Sequence, residues 1–115
     1  MVNNNILKDK SADFALRIVK LYKYLYNKDE KVISKQILRS GTSIGANIAE
    51  CVYASSKSDF INKLSIAQKE TGETVFWIDL LFRADYIKEP EYKSLKNDCD
   101  EIMRLLASSI KTSKD

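Results

Sequence analysis

Residues 59–85 read DFINKLSIAQKETGETVFWIDLLFRAD, and this stretch decides the fold class of the chain. Its apolar and small side chains recur with alternating spacings of four and three residues, which is the period of a helix with one buried face. The positions on this face are Phe60, Leu64, Ala67, Thr71, Thr74, Ile78, Leu81 and Asp85. Gly72 lies inside the helix at a cost of about 1 kcal/mol relative to alanine, so we expect it to mark a kink or a close helix approach.

Further stretches before and after this one carry the same helical period. They predict helices at about residues 8–27, 32–54 and 91–111, in addition to 59–85. Ser58 suits the N-cap of the third helix, and Pro90 suits the first turn of the fourth. Four helices joined by short loops predict an all-α fold, a single antiparallel up-down-up-down four-helix bundle spanning residues 1–115.

Histidine does not occur in the sequence, which removes the commonest general base and the commonest metal ligand. Glu50, Glu70, Glu73 and Glu101 therefore have no histidine to complete the di-metal motif that some helical bundles carry. The sequence shows no glycine-rich phosphate loop after a strand. We predict a non-enzymatic protein with no catalytic residue, no metal and no cofactor.

The two cysteines, Cys51 and Cys99, bear on the compartment. The first ten residues, MVNNNILKDK, contain no apolar segment of the kind that a signal peptide needs. We therefore expect a cytoplasmic protein in which both thiols are reduced and serve as small apolar side chains. No apolar run approaches the roughly 20 residues of a membrane span, so no membrane partner is expected.

The net charge of +3 is unevenly distributed. Residues 1–39 contain nine lysine and arginine residues against four acidic ones. A basic segment of this kind points to an acidic partner such as DNA or RNA, although the same lysines could serve only solubility. The candidate nucleic-acid-binding residues are Lys10, Arg17, Lys20, Lys28, Lys31, Lys35 and Arg39.

A second apolar stripe lies off the core face of the third helix, at Ile66, Phe76, Trp77 and Leu80. Apolar surface beyond what one bundle buries favours self-association or a protein partner. These residues are the candidate oligomer interface. The alternative is a wide core stripe that is buried within a single chain.

The second helix carries small residues at Gly41, Gly45 and Ala49, four positions apart. This spacing predicts a groove in which another helix backbone lies close. A polar motif, formed by Ser43, Asn47 and Glu50, accompanies the groove. Because buried polar groups need partners, we expect Asn47 and Glu50 to tie this helix to a neighbouring one.

Three segments together carry a family resemblance: SIGANIAE at 43–50, SKSDFINKLSIA at 56–67 and ETVFWIDLL at 73–81. They resemble the four-helix-bundle proteins encoded in intervening sequences of bacterial large-subunit ribosomal RNA genes. The resemblance implies an antiparallel bundle that forms a homo-oligomer, with a pentamer as the expected ring. It also implies a relationship to the accessory variability protein of diversity-generating retroelements, which is a pentamer that binds nucleic acid and a reverse transcriptase.

Two functional hypotheses follow from these observations. The first is a homo-oligomeric bundle that binds nucleic acid or a nucleoprotein partner through its basic surface. The second is an oligomeric protein–protein adaptor that binds no nucleic acid and uses its charge for solubility only.

Overall fold

The computed structural model describes residues 4–115, and side chains from residue 6 onward. Four helices follow each other: α1 (Asn4–Asn27), α2 (Ile33–Glu50), α3 (Lys57–Arg83) and α4 (Glu89–Lys114). Residues 4–115 contain no strand, and each helix packs on the next along the chain, while α1 and α4 make the smallest contact between neighbouring helices. The predicted all-α, up-down-up-down four-helix bundle is confirmed.

The chain leaves α2 earlier than the predicted end at residue 54. Residues Cys51–Tyr53 form a 3-10 turn, which is a tighter continuation that helices commonly adopt at their ends. The expected N-cap of α3 at Ser58 is also wrong. Ser56 caps the helix, because its Oγ accepts the Asp59 N–H at 3.0 Å while the Asp59 carboxylate accepts the Ser55 N–H at 3.0 Å.

The C-terminus of α3 explains why Asp85 is exposed and not in the core as predicted. Asp85 has a φ of 65°, and the backbone N–H groups of Asp85 and Tyr86 donate to the carbonyls of Phe82 and Leu81. This Schellman motif turns the chain out of the helix one residue before the core spacing would place Asp85 inward. Asp29, with a φ of 67°, ends α1 in the same way.

The core lies along the predicted face of α3. Six of the predicted positions are buried, and Phe60 is partly buried against them. Two of the six are threonines, whose hydroxyls would be costly to bury without partners. Thr71 donates to the Ala67 carbonyl at 2.7 Å, and Thr74 lies 2.9 Å from Ser40 Oγ of α2. The polar atoms of this face are thus satisfied, and one of them joins α3 to α2.

The start of α2 is held by a carboxylate from the preceding loop. Glu30 is buried, and its two carboxylate oxygens accept the N–H groups of Ser34 at 2.6 Å and Val32 at 3.3 Å. A negative charge at a helix N-terminus interacts favourably with the helix dipole and with the unpaired N–H groups there. Glu30 therefore stabilises the α1–α2 turn.

The glycines of α2 confirm the predicted close packing in part. A Cβ at Gly41 would lie 2.8 Å from Ile18 of α1, and one at Gly45 would lie 3.1 Å from the Ser11 carbonyl oxygen. Ala49, the third residue of the predicted groove, is exposed. The expectation of a close helix approach at Gly72 is wrong within one chain, since a Cβ there would meet no atom within 4 Å.

These two environments predict opposite effects of the same substitution. Gly72→Ala should raise the free energy of unfolding by about 1 kcal/mol, because alanine restricts the unfolded chain and clashes with nothing. Gly41→Ala should lower it by about 1–3 kcal/mol, because Ile18 is buried and cannot move aside. Urea unfolding followed by circular dichroism measures both. A destabilising Gly72→Ala would mean that another chain packs against this face of α3.

Candidate nucleic-acid interface

Two of the seven candidate cations are engaged in joining α1 to α4. Asp98 of α4 lies 2.9 Å from the Lys10 ammonium through one oxygen and 2.9 Å from the Arg17 guanidinium through the other. Glu101 and Glu91 add further contacts, at 3.4 Å to Lys10 and 3.2 Å to Arg17. The hydrogen bond to Asp98 raises the pKa of Lys10 above its ordinary value. Both cations therefore connect the neighbouring helices that make the smallest contact.

Arg39 is engaged in a second network, between α2 and α3. Its guanidinium binds Glu70 at 3.3 Å and also contacts Glu73 closely. The indole N–H of Trp77 donates to the same Glu73 carboxylate at 3.0 Å. The hydrogen bond from Trp77 and then that from Arg39 hold the pKa of Glu73 below its usual range. The charge of Arg39 is thus paired with carboxylates of its own chain.

Two further candidates lie in the turn after α1. Lys31 binds the Asp29 carboxylate at 3.3 Å and lies 5.1 Å from the ring centroid of Tyr26. Lys28 lies 5.3 Å from the ring centroid of Tyr24, a cation–π contact that leaves its charge uncompensated. Both ammonium groups are at the surface.

The structure brings the remaining candidates together with cations that the sequence did not single out. Lys20, Lys28 and Lys35 are exposed, and so are Lys23, Arg83 and Lys88. Among the side chains that the structure describes, no carboxylate lies within 4.0 Å of these six. All six lie toward the end of the bundle that carries the α1–α2 and α3–α4 connections. We call the surface formed by these six residues the basic end.

The charge distribution follows the same division. Residues 17–41 and 72–98, which form this half of the bundle, contain eleven lysine and arginine residues against eight acidic ones. The other residues contain eight of each kind. The charge count over residues 1–39 included Lys23 without singling it out, and it could not include Arg83 and Lys88, which the antiparallel topology brings to the same end of the bundle.

A groove of about 440 Å³ opens at the basic end, between α1 and the start of α4. Its lining comprises Arg17, Lys20, Leu21, Tyr24, Tyr86, Ile87, Lys88 and Glu91. Two of the free cations of the basic end, Lys20 and Lys88, therefore border a partly apolar depression.

The polar motif of α2 divides between two roles. Glu50 accepts a hydrogen bond from Lys63 of α3 at 2.8 Å and so bridges two helices, as expected. The Asn47 amide donates to the carbonyl and hydroxyl oxygens of Ser43, at 2.8 and 3.2 Å, and remains within its own helix. The expectation that Asn47 ties α2 to a neighbouring helix is therefore wrong.

The candidate interface residues differ in how far a single chain covers them. Phe76 is 57% exposed, whereas Ile66, Trp77 and Leu80 are half-buried. The Phe76 ring lies edge-on against Trp77, with 4.9 Å between the ring centroids. Trp77 also packs against the core, so Phe76 is the most available apolar side chain of this set.

Both thiols are buried, free and unsuited to nucleophilic chemistry. Burial raises the pKa of Cys99 to about 12 and also raises the pKa of Cys51. Within residues 4–115 no three side chains of the metal-binding types cluster around one point. No helix in that range has both the length and the apolar character needed to cross a membrane.

Comparison with known proteins adds the family. The family model described as 23S rRNA-intervening sequence protein matches residues 3–108. The chain belongs to this family. The resemblance carried by the segments between residues 43 and 81 is thereby confirmed at the level of the family.

A solved structure of a protein from Bacteroides thetaiotaomicron VPI-5482 is similar to this family member. It is described as a protein with unknown function from the S23 ribosomal protein family. The two share 59% sequence identity and superimpose with a TM-score of 0.92, over 94% of this chain and 97% of the other. No match was found among proteins with curated descriptions.

The role of Asp98 can be separated from its charge by a matched pair of substitutions. Asp98→Asn should lower the free energy of unfolding by about 1 kcal/mol, since Lys10 and Arg17 lose their shared partner. Asp100→Asn, at an exposed residue two positions away, should change it little. Urea unfolding at about 0.05 M and about 1 M salt measures both, and the difference should shrink at high salt. Equal stabilities at low salt would contradict a structural role for this network.

Proposed function

We propose that this family member is a non-enzymatic, homo-oligomeric helical bundle that binds nucleic acid through its basic end. The observation that supports the proposal is the division of the cations. Lys10, Arg17 and Arg39 are occupied by carboxylates of their own chain, while the six cations of the basic end are exposed and have no such partner among the described side chains. Exposed, uncompensated cations grouped at one end suit phosphate groups.

The chemistry predicts how such binding behaves. Lysine contacts to phosphate carry no base information and release counterions, so binding should be sensitive to salt and tolerant of sequence. One chain with a handful of lysines binds weakly, but an oligomer repeats the basic end in each subunit. Linked weak contacts gain strongly in avidity when they engage together.

Exposed apolar side chains support the oligomeric part of the proposal. Large apolar residues remain at the surface of a single chain, and burial against a second copy of the chain would remove them from water. Outside the groove region of Tyr24 and Tyr86, they are Ile6, Leu16, Tyr26, Val32, Val52, Tyr53 and Phe76. The family resemblance implies that the oligomer is a pentamer.

The proposed compartment is the cytoplasm. Two buried free thiols fit its reducing conditions.

The first test compares two triple charge reversals. Lys20, Lys28 and Lys35 changed together to Glu should weaken binding of a labelled oligonucleotide at least tenfold, because these positions form the basic end. Lys8, Lys57 and Lys111 changed to Glu alter the net charge equally at exposed residues of the other half, and should weaken binding much less. Fluorescence anisotropy across a salt series measures both, and the salt slope should fall only in the first variant.

Arg17 is left unchanged in this test because it holds Asp98 and Glu91. Equal losses in both variants would mean that net charge alone attracts the oligonucleotide and would contradict a defined basic end. A wild-type protein that binds neither DNA nor RNA at low salt would contradict nucleic-acid binding altogether.

The second candidate function is an oligomeric protein adaptor, and the exposed Phe76 ring favours it. An apolar ring at the surface suits a protein contact, whereas phosphate groups gain nothing from it. If the protein forms an oligomer but binds no oligonucleotide, the result would favour the adaptor function over nucleic-acid binding.

The oligomer has its own test at Phe76. Phe76→Asp should lower the molar mass measured by light scattering, because a charge placed in an apolar contact between subunits is costly. The single-chain fold should survive, since this side chain lies outside the core. Asn62→Asp adds the same charge at an exposed position of α3 and should leave the mass unchanged. A wild-type protein with the mass of one chain would overturn the oligomeric part of the proposal.

A further inference from the structure

The groove at the basic end combines an apolar floor with aromatic walls. Leu21 and Ile87 are each only 6% exposed, so they form the closed base of the depression. Tyr24 and Tyr86 line it as well and are 48% and 37% exposed, so part of each ring is open to a ligand. Its volume of about 440 Å³ lies within the roughly 300–1,000 Å³ typical of small-ligand sites.

The rim of the groove is positively charged. Arg17 and Glu91 also line it, but they pair with each other at 3.2 Å. Lys20 and Lys88 have no carboxylate within 4.0 Å among the described residues, so their charges are free for a ligand. The groove is therefore complementary to a flat, largely apolar group that carries negative charge at its edge.

Lys28 adds a third free cation close to the groove. Its ammonium group lies 5.3 Å from the ring centroid of Tyr24. Glu89, near the same rim, is paired with Lys93 at 3.1 Å and so contributes little repulsion. Asp85, which precedes Tyr86, is exposed and has no lysine or arginine within 4.0 Å among the described side chains. The free charges around the two tyrosines are thus three lysines against one carboxylate.

We propose that this groove accepts an unstacked base of single-stranded nucleic acid. The base lies against the face of Tyr24 or Tyr86, and the flanking phosphates contact Lys20 and Lys88. Aromatic side chains within a basic surface are the combination that binds single strands without sequence preference, because every base has a flat face. The inference rests on the proposed function and adds that the bases themselves are bound.

A consequence is discrimination between single-stranded and duplex nucleic acid. Bases inside a duplex are paired and stacked, so they cannot enter the groove unless they are first unpaired and unstacked, which opposes binding. Phosphate contacts alone would accept either form. Preference for the single strand is therefore the property that separates the groove from the basic end as a whole.

The experiment uses three labelled probes of equal length: an oligothymidine of about twelve nucleotides, an abasic strand with the same phosphates, and a duplex. Fluorescence anisotropy titrations of the full-length protein give the dissociation constants. We expect the abasic strand and the duplex to bind about tenfold more weakly than the oligothymidine, because neither offers a free base to the tyrosines.

Substitutions then assign the effect to the tyrosines. The double variant Tyr24→Ala, Tyr86→Ala should lose the tenfold preference and bind oligothymidine as weakly as the abasic strand. The double variant with Phe at both positions should keep the preference, because the ring faces remain. Tyr53→Ala removes an exposed tyrosine at the other end of the bundle and should change nothing. Circular dichroism checks that each variant is folded, and unchanged binding of the abasic strand shows that its phosphate contacts are intact.

Each outcome decides between the inference and the function on which it rests. Equal binding of the oligothymidine and the abasic strand would overturn base binding in the groove while leaving phosphate binding intact. A preference that survives alanine at both tyrosines would overturn the assignment to this groove. Failure of all three probes at low salt would overturn the proposed function itself. Displacement by micromolar thymidine monophosphate would show that the occupant is a free nucleotide and overturn the commitment to a strand.

Discussion

The burial of one apolar face on each helix is the constraint on which the rest of this structure depends. Leu64, Ile78 and Leu81 of α3 are almost wholly removed from solvent, and the neighbouring helices are placed by the need to cover them. Consecutive helices satisfy this need well, with α1 packed so closely on α2 that only glycine fits at Gly41 opposite Ile18. The contact between the first and last helices is the loosest of the bundle.

That loose contact shapes both the stability and the candidate site. Toward the middle of the bundle, ion pairs add to the apolar packing, since Asp98 holds Lys10 and Arg17 across the two helices. Toward the basic end, the space between α1 and the start of α4 remains open as the groove lined by Tyr24 and Tyr86. The ion pairs of Asp98 and the groove thus both lie where α1 and α4 pack loosely against each other.

The packing of the helices also divides the lysine and arginine residues into paired and unpaired charges. A lysine or arginine that faces a neighbouring helix meets a carboxylate and becomes part of the fold, as Arg39 does with Glu70. One that faces outward at the connections between helices, such as Lys20 or Lys88, keeps its charge for a partner. Membership in the 23S rRNA-intervening sequence protein family is consistent with this bundle, and the proposed binding of nucleic acid rests on the free cations.

The sequence by itself determined the number and order of the helices and the buried face of α3, because helical periodicity is a local property of neighbouring residues. It could not place Asp85, whose left-handed backbone depends on the geometry of the following turn. Nor could it separate Arg17 from Lys20, because the partners of Arg17 are residues of α4 that lie 74 and 81 positions further along the chain. The tertiary structure alone decided which charges are paired and which are free, since the antiparallel packing brings distant segments together.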